Sequence, residues 1–254
     1  MPTMLLAAVI GALIGLSLGT LGGGGSILTV LALVYLLGQD PHGAVGSSLM
    51  IVGTNALLGA WLHQRAGHVR LGAAVMFGAA GIAAAYGGAR LSRLLPGPAL
   101  LVLFALLMIV IAGLMLRGKV VEPTHADAAA IIWWRVLAGG VTVGFLTGFL
   151  GVGGGFLIVP ALVLLLGMEM RDAVGSSLVV ITINSAAGLL GHLGDGGINW
   201  WLIGLLLAGG VPGLLLGARL ARRLPAAQLR QGFALFVVLL GVTLLLINVP
   251  IALR

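Results

Sequence analysis

The amino-acid sequence predicts an all-α polytopic integral membrane protein made of two tandem homologous halves, read as inverted repeats, each opening with a glycine-broken helix. Three observations carry this prediction: a scarcity of charge, a series of long apolar stretches, and a long gapless internal match. Only 7% of the 254 residues are charged and 60% are hydrophobic, whereas a soluble domain carries about 25% charge. Such a chain cannot cover a water-facing surface with solvated side chains. Its uncharged segments are Met4–Leu37, Ala44–Leu62, Val69–Leu91, Ala99–Leu116, Val136–Leu166, Ala173–Leu190, Ile198–Leu220 and Leu229–Val249. Each is near or above the roughly 20 residues that span a hydrocarbon core. Strand-type alternation is lacking, so the helix is the remaining way to satisfy backbone groups in lipid.

The third observation is a duplication. Shifted by 129 positions, Gly11 through Pro96 matches the second half without a gap. Gly19-Thr20-Leu21-Gly22-Gly23-Gly24-Gly25 falls on Gly148-Phe149-Leu150-Gly151-Val152-Gly153-Gly154. Ala44-Val45-Gly46-Ser47-Ser48-Leu49 falls unchanged on Ala173-Val174-Gly175-Ser176-Ser177-Leu178. Asn55 meets Asn184, Gly59 meets Gly188, and His63 meets His192. The sequence thus divides into a membrane repeat over 1–117, a polar linker over 118–134 and a second repeat over 135–254.

The opening stretch of each half is too long for one helix. Met4–Leu37 would measure about 50 Å at 1.5 Å per residue, and glycine's low helix propensity breaks it at Gly22–Gly25. Whether the break crosses or folds back is decided by the basic residues. A fold-back gives each half an odd number of crossings and inverts the repeats. One side then gathers Arg65, Arg70, Arg117, Lys119, Arg135, Arg171, Arg219, Arg222, Arg223 and Arg230, leaving Arg90, Arg93 and Arg254 opposite. A single crossing spreads the same residues evenly. The positive-inside rule favours the fold-back, with a cytoplasmic linker and both termini outside. The expected location is a bacterial-type inner (plasma) membrane. The net charge of +7 is therefore topological and no nucleic-acid footprint. The start lacks a basic n-region and a cleavage site and is not read as a signal peptide. No cysteine is present, which excludes disulfides and thiol chemistry.

Inverted repeats with broken helices bind their ligands near the membrane midplane, where half-helix ends meet. Candidate binding residues follow from that geometry. Gly22, Gly24 and Gly25, with Gly151, Gly153 and Gly154, let backbone N–H groups approach an anion. The spaced series Gly11, Gly15, Gly19 and Gly140, Gly144, Gly148 reads instead as helix packing, as do Gly209, Gly213 and Gly217. Ser47, Ser48, Ser176 and Ser177 open the next helices and either cap them or offer hydroxyls to an oxyanion. Asn55 and Asn184, at mid-depth, are either helix–helix contacts or ligand contacts, since a buried amide needs partners. His63 and His192 read as interfacial, and Trp61, Trp133, Trp134, Trp200 and Trp201 as an aromatic belt.

The carboxylates Asp40, Glu122, Asp127, Glu169, Asp172 and Asp195 fall in loops or the linker, so no buried proton relay is expected. No catalytic residue, metal site or cofactor is expected, and the partners are a small anionic substrate and membrane lipid, with a homo-oligomer left open. An intramembrane hydrolase built on Ser47 and His63 is disfavoured because the same residues recur in both halves. A non-transporting membrane partner is disfavoured by the short loops, while a passive anion channel stays closer in kind.

The paired glycine clusters, the two Val-Gly-Ser-Ser-Leu motifs and Val159-Pro160 resemble the TauE/SafE family of sulfite and sulfonate exporters across essentially the whole chain. Leu31 stands where Pro160 falls, a departure in the first half. The resemblance implies an exporter of a small anion such as sulfite or an organosulfonate, and it implies no single substrate.

Overall fold

The computed structural model describes residues 2–39, 41–92, 97–117, 133–150, 155–192 and 199–252. All regular elements among them are helical. In the first half α1 (Pro2–Leu21) is followed by α2 (Gly25–Leu31), a π-helical turn (Ala32–Leu36), α3 (Pro41–Arg65), α4 (Leu71–Ser92) and α5 (Gly97–Arg117). The second half repeats the order with α6 (Trp133–Leu150), α7 (Gly155–Leu164), α8 (Met170–His192), α9 (Trp200–Arg223) and α10 (Ala226–Ala252). Among the described residues seven helices are long and apolar enough to cross a membrane: α1, α3, α4, α5, α8, α9 and α10. The start of α6 at Trp133 makes the last two residues of the expected linker helical.

The expected break in the first half is a reversal of direction. A straight helix would place residue 25 about 16 Å from residue 14. Instead, a Cβ on Gly25 would lie 2.8 Å from the Ile14 carbonyl oxygen and 2.5 Å from Leu18 Cγ. Gly22 makes the turn with φ 74°, a left-handed conformation that side chains other than glycine's resist.

Packing joins the halves crosswise. Cβ atoms at Gly11, Gly15 and Gly19 of α1 would run into the backbone of Leu206, Gly210 and Leu214 of α9, so these helices lie parallel in direct backbone contact. Gly140 and Gly144 of α6 meet Phe77 and Gly81 of α4 in the same way. At the repeat offset these are one interface seen twice: Gly15 and Gly210 correspond to Gly144 and Gly81, and Leu16 and Gly217 to Phe145 and Gly88. Small residues let membrane helices approach until backbones touch, which supplies dispersion contact where lipid gives no hydrophobic drive.

The helices α3 and α8 cross antiparallel. Leu49 faces Gly188, Gly53 faces Ser185, Gly59 faces Leu178 and His63 faces Gly175. Along α9, by contrast, Asn55 meets Gly210, Gly59 meets Leu214 and His63 meets Ala218. Thus α3 runs parallel to α9 and so to α1. Two successive long helices pointing the same way require the chain between them to come back, and α2 with the π-helical turn is that return.

The contact of Gly59 with Leu178 is the image of the contact of Gly188 with Leu49. Both glycines face the tip of a leucine, at 2.9 and 3.1 Å from an added Cβ. Gly59→Ala and Gly188→Ala are therefore expected to shift stability alike, within about 1 kcal/mol of wild type, since helix propensity offsets the tight contact. Melting curves of the two purified variants check this, and opposite signs would break the equivalence.

The bundle has one basic end. Gly72 packs near Trp133, His68 lies against Gly175, and Arg171 donates to the Leu224 carbonyl at 2.8 Å. These contacts bring Arg65, Arg70, Arg135, Arg171, Arg219, Arg222, Arg223 and Arg230 to the same end, while Arg90 sits at the other. Arg65 covers the Trp61 ring at 3.8 Å, and Trp61, Trp133, Trp134, Trp200 and Trp201 are all exposed, as an aromatic belt requires. Outward-facing leucines such as Leu190, Leu235 and Leu246 form an apolar surface suited to lipid.

Candidate functional site

The centre of the bundle is where the two broken helices meet. A Cβ on Gly23 would fall on the Gly155 carbonyl oxygen, and one on Gly155 would lie 2.7 Å from Ser26 Oγ. The start of α7 thus abuts the turn before α2. Gly22 approaches α8, where an added Cβ would be 2.5 Å from Ser177 Oγ. Gly24 packs against Phe236 and Ser17. Residues 22–26 are all buried, so the glycine backbone is covered by protein and close approach is what each position demands. Gly151, Gly153 and Gly154 lie outside the described residues.

The serines do not open their helices as expected. α3 starts at Pro41 and α8 at Met170, which places Ser47, Ser48, Ser176 and Ser177 beyond the first turn. Six further helical residues precede each pair, because the polar-looking connections are themselves wound into the helices. The hydroxyls therefore cannot serve as caps. Ser177 Oγ donates to the Val174 carbonyl at 2.8 Å, and Ser176 Oγ accepts the Arg70 N–H at 2.9 Å. Ser47, the repeat counterpart of Ser176, is fully buried and its Oγ has no partner among the described residues.

Asn55 is fully buried where α3 meets α9. Its Nδ2 donates to the Ile51 carbonyl at 2.9 Å, while its Oδ1 has no partner. Asn184, half-buried on α8, likewise has an unpartnered Oδ1. A buried polar atom left unsatisfied costs about 1–3 kcal/mol, so these oxygens are held at a stability cost near the crossing of α3 and α8. Sequence reasoning missed several neighbours. Ser17 Oγ is buried without a partner, Ser26 donates to Gly23 and Thr29 to Gly25, and Ser185 faces Gly53. Their residue types were visible; which of them the fold-back brings together, such as Ser17 with Gly24, was not.

Two titratable groups lie nearby. His63, in the last turn of α3, is only 3% exposed and lies among Leu62, Ala66, Ala218 and Arg222. Asp172 sits in the first turn of α8 rather than in a loop, and is 9% exposed. It bridges His68 Nδ1 at 3.1 Å and Arg70 Nε at 3.0 Å. Arg70 is half-exposed, so the pair contributes on the order of 1 kcal/mol or less by itself. Among the described residues no cluster of His, Asp or Glu could hold a metal. The buried polar groups of the centre are hydroxyls and amides, and His63 and Asp172 lie toward the basic end.

These features define a multi-pass helical membrane protein with an uncharged polar centre beside the Gly22–Gly25 turn. A family model described as "Sulfite exporter TauE/SafE" matches residues 7–244. The chain belongs to this family of membrane transporters. It is 37% identical over 237 residues to a probable membrane transporter protein of Xylella fastidiosa, covering 91% of each chain. It is 26% identical to the probable membrane transporter protein YdhB of Bacillus subtilis, covering 92% of this chain and 96% of that one. A probable membrane transporter protein of Haemophilus influenzae is 27% identical over 267 residues. No solved structure matches.

Proposed function

We propose that this transporter exports a small oxyanion, sulfite or an organosulfonate, across a bacterial-type inner membrane through a site between two inverted repeats. The observation that carries the reading is the antiparallel crossing of α3 and α8, which lies beside the meeting of Gly23 with Gly155. Antiparallel packing of equivalent helices is what a twofold axis in the membrane plane produces, and such axes pass through the binding site of inverted-repeat transporters. To this site we assign Ser47, Ser48, Asn55, Ser176, Ser177 and Asn184, with Gly22, Gly24 and Gly25. The equivalent turn at Gly151, Gly153 and Gly154 belongs to the same proposal by repetition in sequence.

The polarity of these groups narrows the ligand. Hydroxyls and backbone N–H groups donate to oxyanion oxygens. The unpartnered Asn55 and Asn184 oxygens accept, which suits an oxyanion that keeps one O–H, such as hydrogensulfite. With no lysine or arginine at the centre, the ion is held loosely enough to leave. The basic end is read as cytoplasmic by the positive-inside rule. Outward movement of an anion is then favoured by about 2.3 kcal/mol per charge per 100 mV without a coupling ion, and neither a cofactor nor a catalytic step is called for.

Proteoliposomes loaded with sulfite and given an imposed potential test this. Saturable efflux that rises with the potential is expected. A strict need for a proton or sodium gradient would remove the uniport mechanism, and flux of neither sulfite nor sulfonates by inserted protein would remove the substrate class.

A further inference from the structure

The two mouths of the protein are not equivalent. At the basic end the Asp172 carboxylate holds His68 Nδ1 at 3.1 Å and Arg70 Nε at 3.0 Å, and the Arg70 N–H reaches Ser176 Oγ at 2.9 Å. The connection between α3 and α4 is thereby tied to α8. Arg171 adds a tie from α8 to the end of α9 through the Leu224 carbonyl at 2.8 Å. At the repeat offset the sequence has Gly43 for Asp172, Gly197 for His68 and Asn199 for Arg70. Neither the acid nor its cationic partners recur at these equivalent positions, and Ser47 lacks the partner that Ser176 has among the described residues.

We propose that His68, Arg70 and Asp172 form a one-sided latch in which the Asp172 carboxylate occupies donors that an entering oxyanion takes over, so that the anion opens the basic mouth. A guanidinium presents the same paired donors to a carboxylate as to a sulfur or phosphorus oxyanion. Asp172 is therefore an internal stand-in for the cargo. An anion that pairs with Arg70 and His68 frees α8 from the α3–α4 connection and enters beside Ser176, a residue of the proposed site. Arg65, Arg171 and Arg222 at the same end raise the local anion concentration. A latch at one mouth gives a pseudo-symmetric protein a preferred side for loading. The inference rests on the anion-export reading, and its test is independent of flux.

The chain contains no cysteine, so a single Ala173→Cys reporter is unambiguous. Ala173 is fully buried beside Asp172. The full-length protein carrying this reporter in inside-out vesicles is labelled with a membrane-impermeant methanethiosulfonate reagent applied at the basic face. Slow labelling is expected, rising about fivefold when Asp172→Asn breaks the network. Methanesulfonate, used as the anion probe, should accelerate the reporter protein to a similar degree and leave the Asp172→Asn variant unchanged. Should Asp172→Asn fail to fold, the exchanged pair Arg70→Asp/Asp172→Arg keeps the test open: it restores the ion pair and the slow labelling, whereas Arg70→Gln does not. Equal labelling with and without the Asp172 carboxylate overturns the latch. A reporter rate indifferent to methanesulfonate overturns the role of the anion. Absence of sulfite and sulfonate flux with the labelling pattern intact would instead count against the export reading alone.

Discussion

Gly15→Val is expected to lower the melting temperature of the purified protein by about 10 °C or to prevent its accumulation. A Cβ at Gly15 would fall on the Gly210 carbonyl oxygen and 2.9 Å from the Leu214 nitrogen. Both obstacles are backbone, so no rotamer change relieves them. The helices α1 and α9 would have to separate along a seam that also includes Gly11, Gly19, Gly209, Gly213 and Gly217. Overpacking of this kind costs roughly 1–3 kcal/mol or more, and membrane helix pairs depend on such contact. Because the α6–α4 seam is the image of this one, Gly144→Val should do comparable damage against Gly81. Gly204→Val, on α9 where nothing lies within 4 Å of an added Cβ, serves as the matched control. Fluorescence-detected size-exclusion thermal curves decide the matter, and a Gly15→Val curve overlying that of Gly204→Val would refute the backbone seam.

The second large effect is expected on transport alone. Asn55→Ala and Asn184→Ala should each reduce sulfite efflux at least about tenfold while the melting temperature moves little. Each amide carries an oxygen without a partner. Removing Asn55 forfeits its bond to Ile51 and opens a small void, yet it also removes an oxygen that has no partner. A single buried unsatisfied group costs about 1–3 kcal/mol, similar in size to the losses, so the net change in stability is close to zero. If instead the amides are helix–helix contacts, the variants would melt early and whatever protein survived would transport normally. Paired flux and melting measurements on the same preparations separate the two, with lost stability and retained flux sinking the site assignment.

A good deal of this fold is legible in the sequence. The all-helical class and the spans follow from hydropathy summed over windows the length of a bilayer, a property no neighbour can alter. The break at Gly22 is local as well, because a run of glycines cannot carry a helix through. The repeat reads directly from Ala44–Leu49 against Ala173–Leu178. Less of the candidate site was visible. Serines that read as caps lie inside α3 and α8 because the helices extend outward past them. That His63 is buried was not legible, since Ala218 and Arg222 of α9, over a hundred residues away in the chain, help to cover it.

What the sequence determined by itself is thus the solvent the chain lives in, the positions of its long apolar stretches, and the break at Gly22–Gly25. Those features depend on composition within about 20 residues and on backbone hydrogen bonding in lipid. Only the tertiary structure decided that α1 lies on α9 and α6 on α4, that α3 and α8 cross antiparallel, and that Asp172 closes on His68 and Arg70. These are contacts between distant segments, chosen by which small faces fit together. No local pattern encodes such a fit, because in lipid every apolar face is equally at home until another helix packs against it.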